Sequence, residues 1–182
     1  MHERRFHAGV ARLRSPERLA RLEVNRVVEL SAQNGNIRRV LDIGTGSGVF
    51  AEAFLHAGFE VEGLDANPEM LAAARDLVPG VRFQEGTAES LPYPNASFDL
   101  VFMGLLFHET DDRLKAMQEA ARVTRQRVAI LEWEYEAQDF GPGLEERLTE
   151  KEMSELALQS GLAAPQLIHL QSLALYLLQK QK

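Results

Sequence analysis

The run Val40-Leu41-Asp42-Ile43-Gly44-Thr45-Gly46-Ser47-Gly48-Val49-Phe50 holds the residue types that a ligand-binding turn needs. Val40, Leu41 and Ile43 predict a strand covered on both faces, and three alternate glycines leave the backbone free to turn and approach a ligand closely. The turn's amides and the N-terminus of the following helix would face that ligand. Spacing narrows its chemistry. A dinucleotide fingerprint places its last small residue three positions after the second glycine, where this chain has Val49. Asp42, two residues before Gly44, would repel a pyrophosphate and suits a ligand carrying an ammonium group. Further on, Asp65 closes a second predicted strand, Glu60 to Leu64, where a Rossmann-like site puts the acid that holds both ribose hydroxyls. A carboxylate accepts two hydrogen bonds side by side, which suits that task. His108 and Glu109 follow a fourth predicted strand. His108 could take a proton at neutral pH, or serve only as a packing or positioning group.

Composition bounds the rest. A chain of 182 residues with 45% hydrophobic residues supports one domain with its own core. A formal net charge of −7 argues against general nucleic-acid binding, which calls for a basic face. The absence of cysteine removes disulfides, thiolate metal sites and a cysteine nucleophile together. His2-Glu3 and His7 miss the four-residue spacing of a helical metal pair, so no metal site is expected. The charged start has no apolar core of signal-peptide length, and no stretch is long and apolar enough to span a membrane. A cytoplasmic location is expected.

The elements that must position these residues follow in order. Residues 1–14 form a locally basic arm. Ser15-Pro16-Glu17 starts a helix whose Leu19, Leu22, Val27 and Leu30 share a face, with Asn34-Gly35 as its stop. Ala51 to Ala57 is a crossover helix. Asn67 caps a helix from Pro68 to about Leu77, Val81 to Glu85 is a third strand, and Phe98 to Met103 is a fourth. Asp111-Asp112 start a helix carrying Leu114, Met117, Ala121 and Val123 inward. A turn is expected at Thr124-Arg125-Gln126-Arg127, then a strand from Val128 to Tyr135. Along Glu132-Trp133-Glu134-Tyr135-Glu136 the acids are expected to be solvated, with a substrate wall at Trp133 or Tyr135 as the alternative. Residues 138–143 look mobile and lid-like. Thr149 and Glu152 form a capping box, and Gly161 ends that helix. Periodicity leaves 166–182 open between helix and strands. Alternating strands and helices imply an open α/β sheet with helices on both faces.

Four motifs in this order resemble the Rossmann-like (class I) S-adenosylmethionine-dependent methyltransferases. They are Asp42-x-Gly44-x-Gly46-x-Gly48; Asp65; Gly86-Thr87-Ala88-Glu89-Ser90-Leu91-Pro92-Tyr93-Pro94; and Asn95-Ala96-Ser97-Phe98-Asp99 with Glu119-Ala120-Ala121-Arg122-Val123. The resemblance runs from about Val27 to Gly161 and is nearest to the small methyltransferases of ubiquinone and menaquinone biosynthesis. It implies a seven-stranded, mostly parallel sheet whose last strand pair is antiparallel, which makes 166–182 strands. It also implies a single domain, with 1–25 as an N-terminal arm or cap and 26–182 as the core, in which Phe6, His7 and the arginines fold over the cofactor pocket. S-adenosylmethionine would then be held by Asp42, Gly44, Thr45, Gly46, Gly48, Asp65, Ala66, Met70, Thr87, Ala88 and Met103, with Thr87 standing where an acid is usual. The implied reaction is methyl transfer to a small-molecule acceptor by in-line displacement, with His108 and then Glu109 as candidate bases. A homodimer is compatible with the pattern. Two other readings stay open: a non-catalytic S-adenosylmethionine-binding sensor or partner subunit, and an NAD(P)-dependent oxidoreductase, against which Val49 and Asp42 speak.

Overall fold

The computed structural model describes residues 9–181. Its centre is β1 (Arg39–Ile43), flanked by β2 (Glu60–Asp65) and β4 (Phe98–Gly104), with β3 (Arg82–Glu85) outside β2. β5 (Thr124–Trp133), β7 (Leu173–Gln179) and β6 (Gln166–His169) complete a seven-stranded sheet in the order 3-2-1-4-5-7-6. β1 to β5 run parallel, and β7 pairs antiparallel with both β5 and β6. The seven-stranded sheet and the final strand pair therefore match the expected fold. The order reverses between β1 and β4, the place where an open α/β sheet leaves a crevice beyond its strand ends.

Side-chain alternation along these strands builds two cores. Leu41, Ile43, Val101, Met103, Val128 and Ile130 face one side with Met117 and Met153. Those two methionines come from α6 (Arg113–Val123) and α7 (Glu150–Gln159). Val40, Leu100, Phe102, Ala129 and Leu131 face the other side with Val27, Val28, Phe50 and Phe54. These come from α3 (Val24–Ala32) and α4 (Val49–His56). Phe102 lies between Phe50 and Phe54, with ring centroids 4.7 and 5.3 Å away. α5 (Pro68–Leu77) is capped by Asn67, whose side chain accepts from the Glu69 and Met70 amides. The capping box of α7 is present, with Thr149 and Glu152 bonded reciprocally.

Three expectations need correction. The single helix predicted from Ser15 is preceded by α1 (Val10–Leu13) and is itself two, α2 (Pro16–Leu22) and α3, because Glu23 between them is left-handed at φ 46°. That conformation costs about 1 kcal/mol for a residue with a side chain. The Glu23 carboxylate offsets it by accepting from the Gln171 amide at 2.8 Å and from Arg26 at 2.7 Å. Apolar spacing cannot register a break held by a contact 148 residues away. Second, no turn separates α6 from β5: the strand begins at Thr124, whose hydroxyl bonds both the carbonyl and the amide of Arg127 across a bulge. Third, the loop expected to be mobile is stapled. Arg147, 4% exposed, donates to the carbonyls of Glu134, Glu136, Phe140 and Pro142 and to the Gln138 side chain.

A second arginine holds the segment that follows β3. Arg122 donates to both oxygens of Glu119, to the carbonyls of Leu91 and Tyr93 and to Asn95, while Glu119 accepts from the Leu91 amide. The E-x-x-R pair thus fixes the loop carrying Thr87 and Ala88. Replacing Arg122→Met should cost about 2 kcal/mol of stability, since Glu119 and two carbonyls lose their donor. The Arg122 hydrogen bond holds Glu119 below its ordinary value of 4.5 against the opposing effect of burial. Its contribution is therefore complete above that value and lost as pH falls through the lowered one. Urea denaturation of both proteins at neutral and acid pH should show the difference shrinking in acid.

Candidate functional site

The register brings the candidate residues to one edge. Ile43 is level with Leu64 of β2 and Met103 of β4, so β1, β2 and β4 end within one residue of the same height, while β5, level with β4 at Gly104–Leu131, runs on through Glu132 and Trp133. The Gly44 and Thr45 amides both donate to the Leu64 carbonyl, at 2.7 and 3.0 Å, which folds the glycine turn across the end of β2. Asp65 completes the junction. One of its carboxylate oxygens accepts from the Gly46 amide and the other from the Asn67 amide, each at 2.8 Å.

All three glycines of the turn are left-handed, at φ 68°, 54° and 79°, a region closed to most side chains. They do different work. A Cβ at Gly44 would lie 2.7 Å from Leu106 Cδ2, so its absence lets the turn after β4 pack against the glycine loop. A Cβ at Gly48 would meet Val78 at 3.1 Å and Phe83 at 3.3 Å, so Gly48 serves close packing of helix and strand. At Gly46, among the described residues, only Leu13 of α1 comes near, at 3.6 Å. Of the three, Gly46 has the most open face, and the N-terminal cap covers it. Arg14 adds a second clamp, donating to the Ser47 carbonyl at 2.8 Å and to Glu52 at 2.7 Å. Phe6, His7 and the arginines before residue 9 lie outside the described residues, as do His2 and Glu3.

Asp42 sits beneath this loop, 2% exposed, and accepts from the Thr45 hydroxyl at 2.7 Å. Thr45 is thereby turned to Asp42 and acts through it. Burial pushes the Asp42 carboxyl up to about 7; hydrogen bonds from Thr45 and the Ala51 amide oppose the shift, and the nearby Asp65 charge adds to it. A buried carboxylate so placed gains most from a cation. The Ser47 hydroxyl is buried nearby, with no hydrogen-bond partner among the described residues. Ala66 is half-buried beside Asp65, and Met70 is 9% exposed in the first turn of α5. Thr87 is exposed and bridges to Ser90, whereas Ala88 is buried in the core. Met103 is fully buried among core side chains.

On the other side of Gly44, the chain leaves β4 through Leu105, left-handed at φ 54°, whose amide donates to the Leu131 carbonyl. That non-glycine outlier swings Leu106 onto Gly44 and leads into a 3-10 turn, Phe107–Glu109. His108, 8% exposed, lies against Glu132, 2% exposed at the end of β5. Its Nδ1 is 3.1 and 3.0 Å from the two carboxylate oxygens, and its amide donates to Oε1 at 3.0 Å. The Trp133 amide donates to Oε2 at 3.2 Å, and the Glu109 carboxylate lies 3.6 Å from His108 Nε2. Burial alone would lower the imidazole pKa, but the charge and hydrogen bond of Glu132, then Glu109 and Glu146, raise it above 6.5.

The expectation that the acids of 132–136 are solvated therefore fails at Glu132. A signal for it existed. Val128 to Leu131 is an unbroken apolar run, so the next residue of the strand was due to be buried whatever its type. Trp133 packs on the opposite core against Phe140, ring centroids 5.9 Å apart, while Tyr135 is 51% exposed beyond the strand. Arg14 and Leu13 carried no such signal, since they sit in a polar arm with no partner nearby in sequence.

The buried Asp42 carboxylate makes stability pH-dependent with a definite sign. The folded state holds its proton to about pH 7, the unfolded state only to about 3.8, so stability falls as pH rises across that interval. Between about pH 5 and pH 8 the wild type should lose about 3 kcal/mol relative to Asp42→Asn. Thermal unfolding of the two proteins against pH checks this, with no cofactor added.

Comparison with known proteins agrees with this geometry. A family profile described as a methyltransferase domain matches residues 41–131, half of the chain. The uncharacterized methyltransferase YcgJ of Bacillus subtilis is 46% identical over 93 residues, which are 48% of this chain and 37% of that protein. A demethylmenaquinone methyltransferase of Chlorobaculum parvum is 38% identical over 88 residues, 48% of this chain and 36% of the relative. The chain thus spans well under half the length of these two relatives. A structure described as a SAM-dependent methyltransferase from Aquifex aeolicus shares the fold along nearly the whole chain. Its TM-score is 0.83 at 24% identity, covering 93% of this chain and 96% of that one. With the strand order, the left-handed glycine turn and the profile match in agreement, the chain belongs to the Rossmann-like, S-adenosylmethionine-dependent methyltransferase-domain family.

Proposed function

We propose that this protein binds S-adenosylmethionine beyond the ends of β1 and β2 and transfers its methyl group to a small-molecule acceptor seated against the Leu105–Glu109 turn. The observation that carries this reading is the buried Asp42 carboxylate under the left-handed Gly46, where a Cβ would meet no atom closer than 3.6 Å among the described residues. A cofactor with an ammonium and a ribose fits these residues. Asp42 supports the ammonium electrostatically. Each Asp65 oxygen uses one lone pair on a backbone amide and keeps another for a ribose hydroxyl. Ala66, Met70 and the Ala88 backbone border the adenine, with Thr87 at the rim. Thr45, Gly48 and Met103, although carried by the resemblance, act behind this surface: Thr45 on Asp42, Gly48 in packing, Met103 in the core.

When bound, the cofactor supplies an electrophilic methyl on a sulfonium, so proximity, alignment and exclusion of water are what the protein adds. Exclusion comes from the cap. Leu13 and Arg14 close on the glycine turn, and Arg21 of α2 stacks 4.1 Å over the Phe140 ring, tying the cap to the stapled loop. The domain reading, 1–25 as a cap on a single core, rests on these contacts. The acceptor is proposed as a small molecule because the relative from Chlorobaculum parvum is named for demethylmenaquinone. No helix among the described residues is long and apolar enough to cross a membrane.

Calorimetric titration with S-adenosylmethionine, S-adenosylhomocysteine and NADH tests the reading. The first two should bind saturably and NADH should not; NADH binding alone would restore the oxidoreductase alternative. Asp65→Ala should weaken S-adenosylhomocysteine by about 2 kcal/mol or more, on the scale of a hydrogen bond to a charged group. An ammonium arriving beside Asp42 favours its ionised form, so binding near pH 6.5 should release a fraction of a proton. The heat of binding should then vary with the buffer's ionisation enthalpy, and that variation should vanish in Asp42→Asn.

A further inference from the structure

Glu132 is the least expected charge in the molecule. It is the last residue but one of β5, an inner strand of the sheet, is 2% exposed, and belongs to neither the cofactor turn nor the surface. Burying a carboxylate costs several kcal/mol unless it is hydrogen-bonded and paired. Here it accepts from two backbone amides, those of His108 and Trp133, and faces His108 Nδ1 with both oxygens. A carboxylate accepts only, so Nδ1 must carry a proton. The ring's other nitrogen, Nε2, makes no hydrogen bond among the described residues; Glu109 Oε1 lies 3.6 Å from it.

We propose that Glu132 is the positioning residue of the acceptor site: it fixes His108 as the Nδ1–H tautomer and leaves the Nε2 lone pair to accept the proton of a protic acceptor. This rests on the methyltransferase reading for its purpose but not for its geometry. It favours an acceptor whose nucleophilic atom still carries a proton at neutral pH, such as a weak oxygen or carbon acid, over a carboxylate, which is already ionised and needs no base. In that step the acceptor's O–H or C–H bond breaks and its proton passes to Nε2. The electron pair left behind forms the bond to the methyl carbon, and the pair of the broken carbon–sulfur bond stays on sulfur. His108 leaves the step as an imidazolium, a charge that Glu132 and Glu109 hold in place. The strained Leu105 and the Leu106–Gly44 contact keep this turn against the cofactor loop.

The charged groups around the ring set the sign of its titration. Glu132 faces it from β5, Glu109 from its own turn and Glu146 from the 3-10 turn Leu144–Glu146, all favouring imidazolium. Arg113 of α6 reaches the His108 carbonyl at 3.4 Å, Arg18 of α2 interacts with Glu109, and Tyr176 of β7, pushed up to about 12 by burial, lies near Glu132. Removing the Glu132 charge leaves burial as the leading influence, so the pKa must fall.

The test is nitrogen NMR of the imidazoles in the full chain without cofactor, His108 being identified by its absence in His108→Asn. In the wild type, neutral His108 should show a protonated Nδ1 and an unprotonated Nε2, with a titration midpoint above 6.5. In the isosteric Glu132→Gln the midpoint should drop by one unit or more and both tautomers should be populated. S-adenosylhomocysteine affinity should stay within about threefold, since Glu132 lies outside the cofactor turn. An Nε2–H tautomer in the wild type, or an unchanged titration in Glu132→Gln, would overturn the proposal. If Glu132→Gln does not fold, the wild-type tautomer alone decides. Failure of both proteins to bind S-adenosylhomocysteine would remove the methyltransferase reading and leave the imidazole result standing.

Discussion

The Leu64 carbonyl holds the site together. It accepts the amides of Gly44 and Thr45 together, and so stitches the exit of β1 to the end of β2. Once that bifurcated contact exists, Asp65, one residue on, is aimed at the Gly46 amide, and the turn is fixed from both sides. It depends in turn on left-handed backbone at Gly44 and on the missing Cβ there, because Leu106 occupies the space where one would go. The Leu64 carbonyl thus fixes the glycine turn on β2, and the Leu106–Gly44 contact sets the turn after β4 against it.

The electrostatics of the two halves differ in kind. Asp42 is buried with one hydroxyl and one amide as its support, no cation beside it among the described residues, and a carboxyl that burial pushes up to about 7. Such a group lowers the stability of the empty protein and raises its preference for a cation. Glu132 is buried as deeply but is satisfied, by two amides and an imidazole. The first carboxyl would gain from a cation; the second is held by its own neighbours. Burial alone does not separate them, and the partner inventory does.

Three arginines perform the same structural task at three places. Arg14 holds the Ser47 carbonyl of the glycine turn, Arg122 the segment after β3, and Arg147 the loop after β5. Each collects carbonyl oxygens that irregular backbone leaves without partners, with a planar fork of five donors suited to doing so. The loops that border the site are thereby ordered without secondary structure of their own, which is why a segment rich in glycine and proline at 141–143 is pinned rather than mobile.

The sequence by itself determined the first five strands, though not where β5 begins, the sheet class, the glycine turn and the two acids Asp42 and Asp65; the strands of 166–179 came only with the family resemblance. Those features rest on local rules, namely period-two burial, turn chemistry and spacing along one strand–turn–helix unit. The helix break at Glu23, the bulge that starts β5 at Thr124, and the separate duties of Gly44, Gly46 and Gly48 rest on neighbours far along the chain. So does the pairing of His108 with Glu132, which lie 24 residues apart. Sequence placed His108 on an outgoing loop and Glu132 on a strand end, and both were read singly. Only the parallel register of β4 and β5 puts those two chain exits side by side, because pairing between strands is set by the packed sheet and not by the residues of either strand alone.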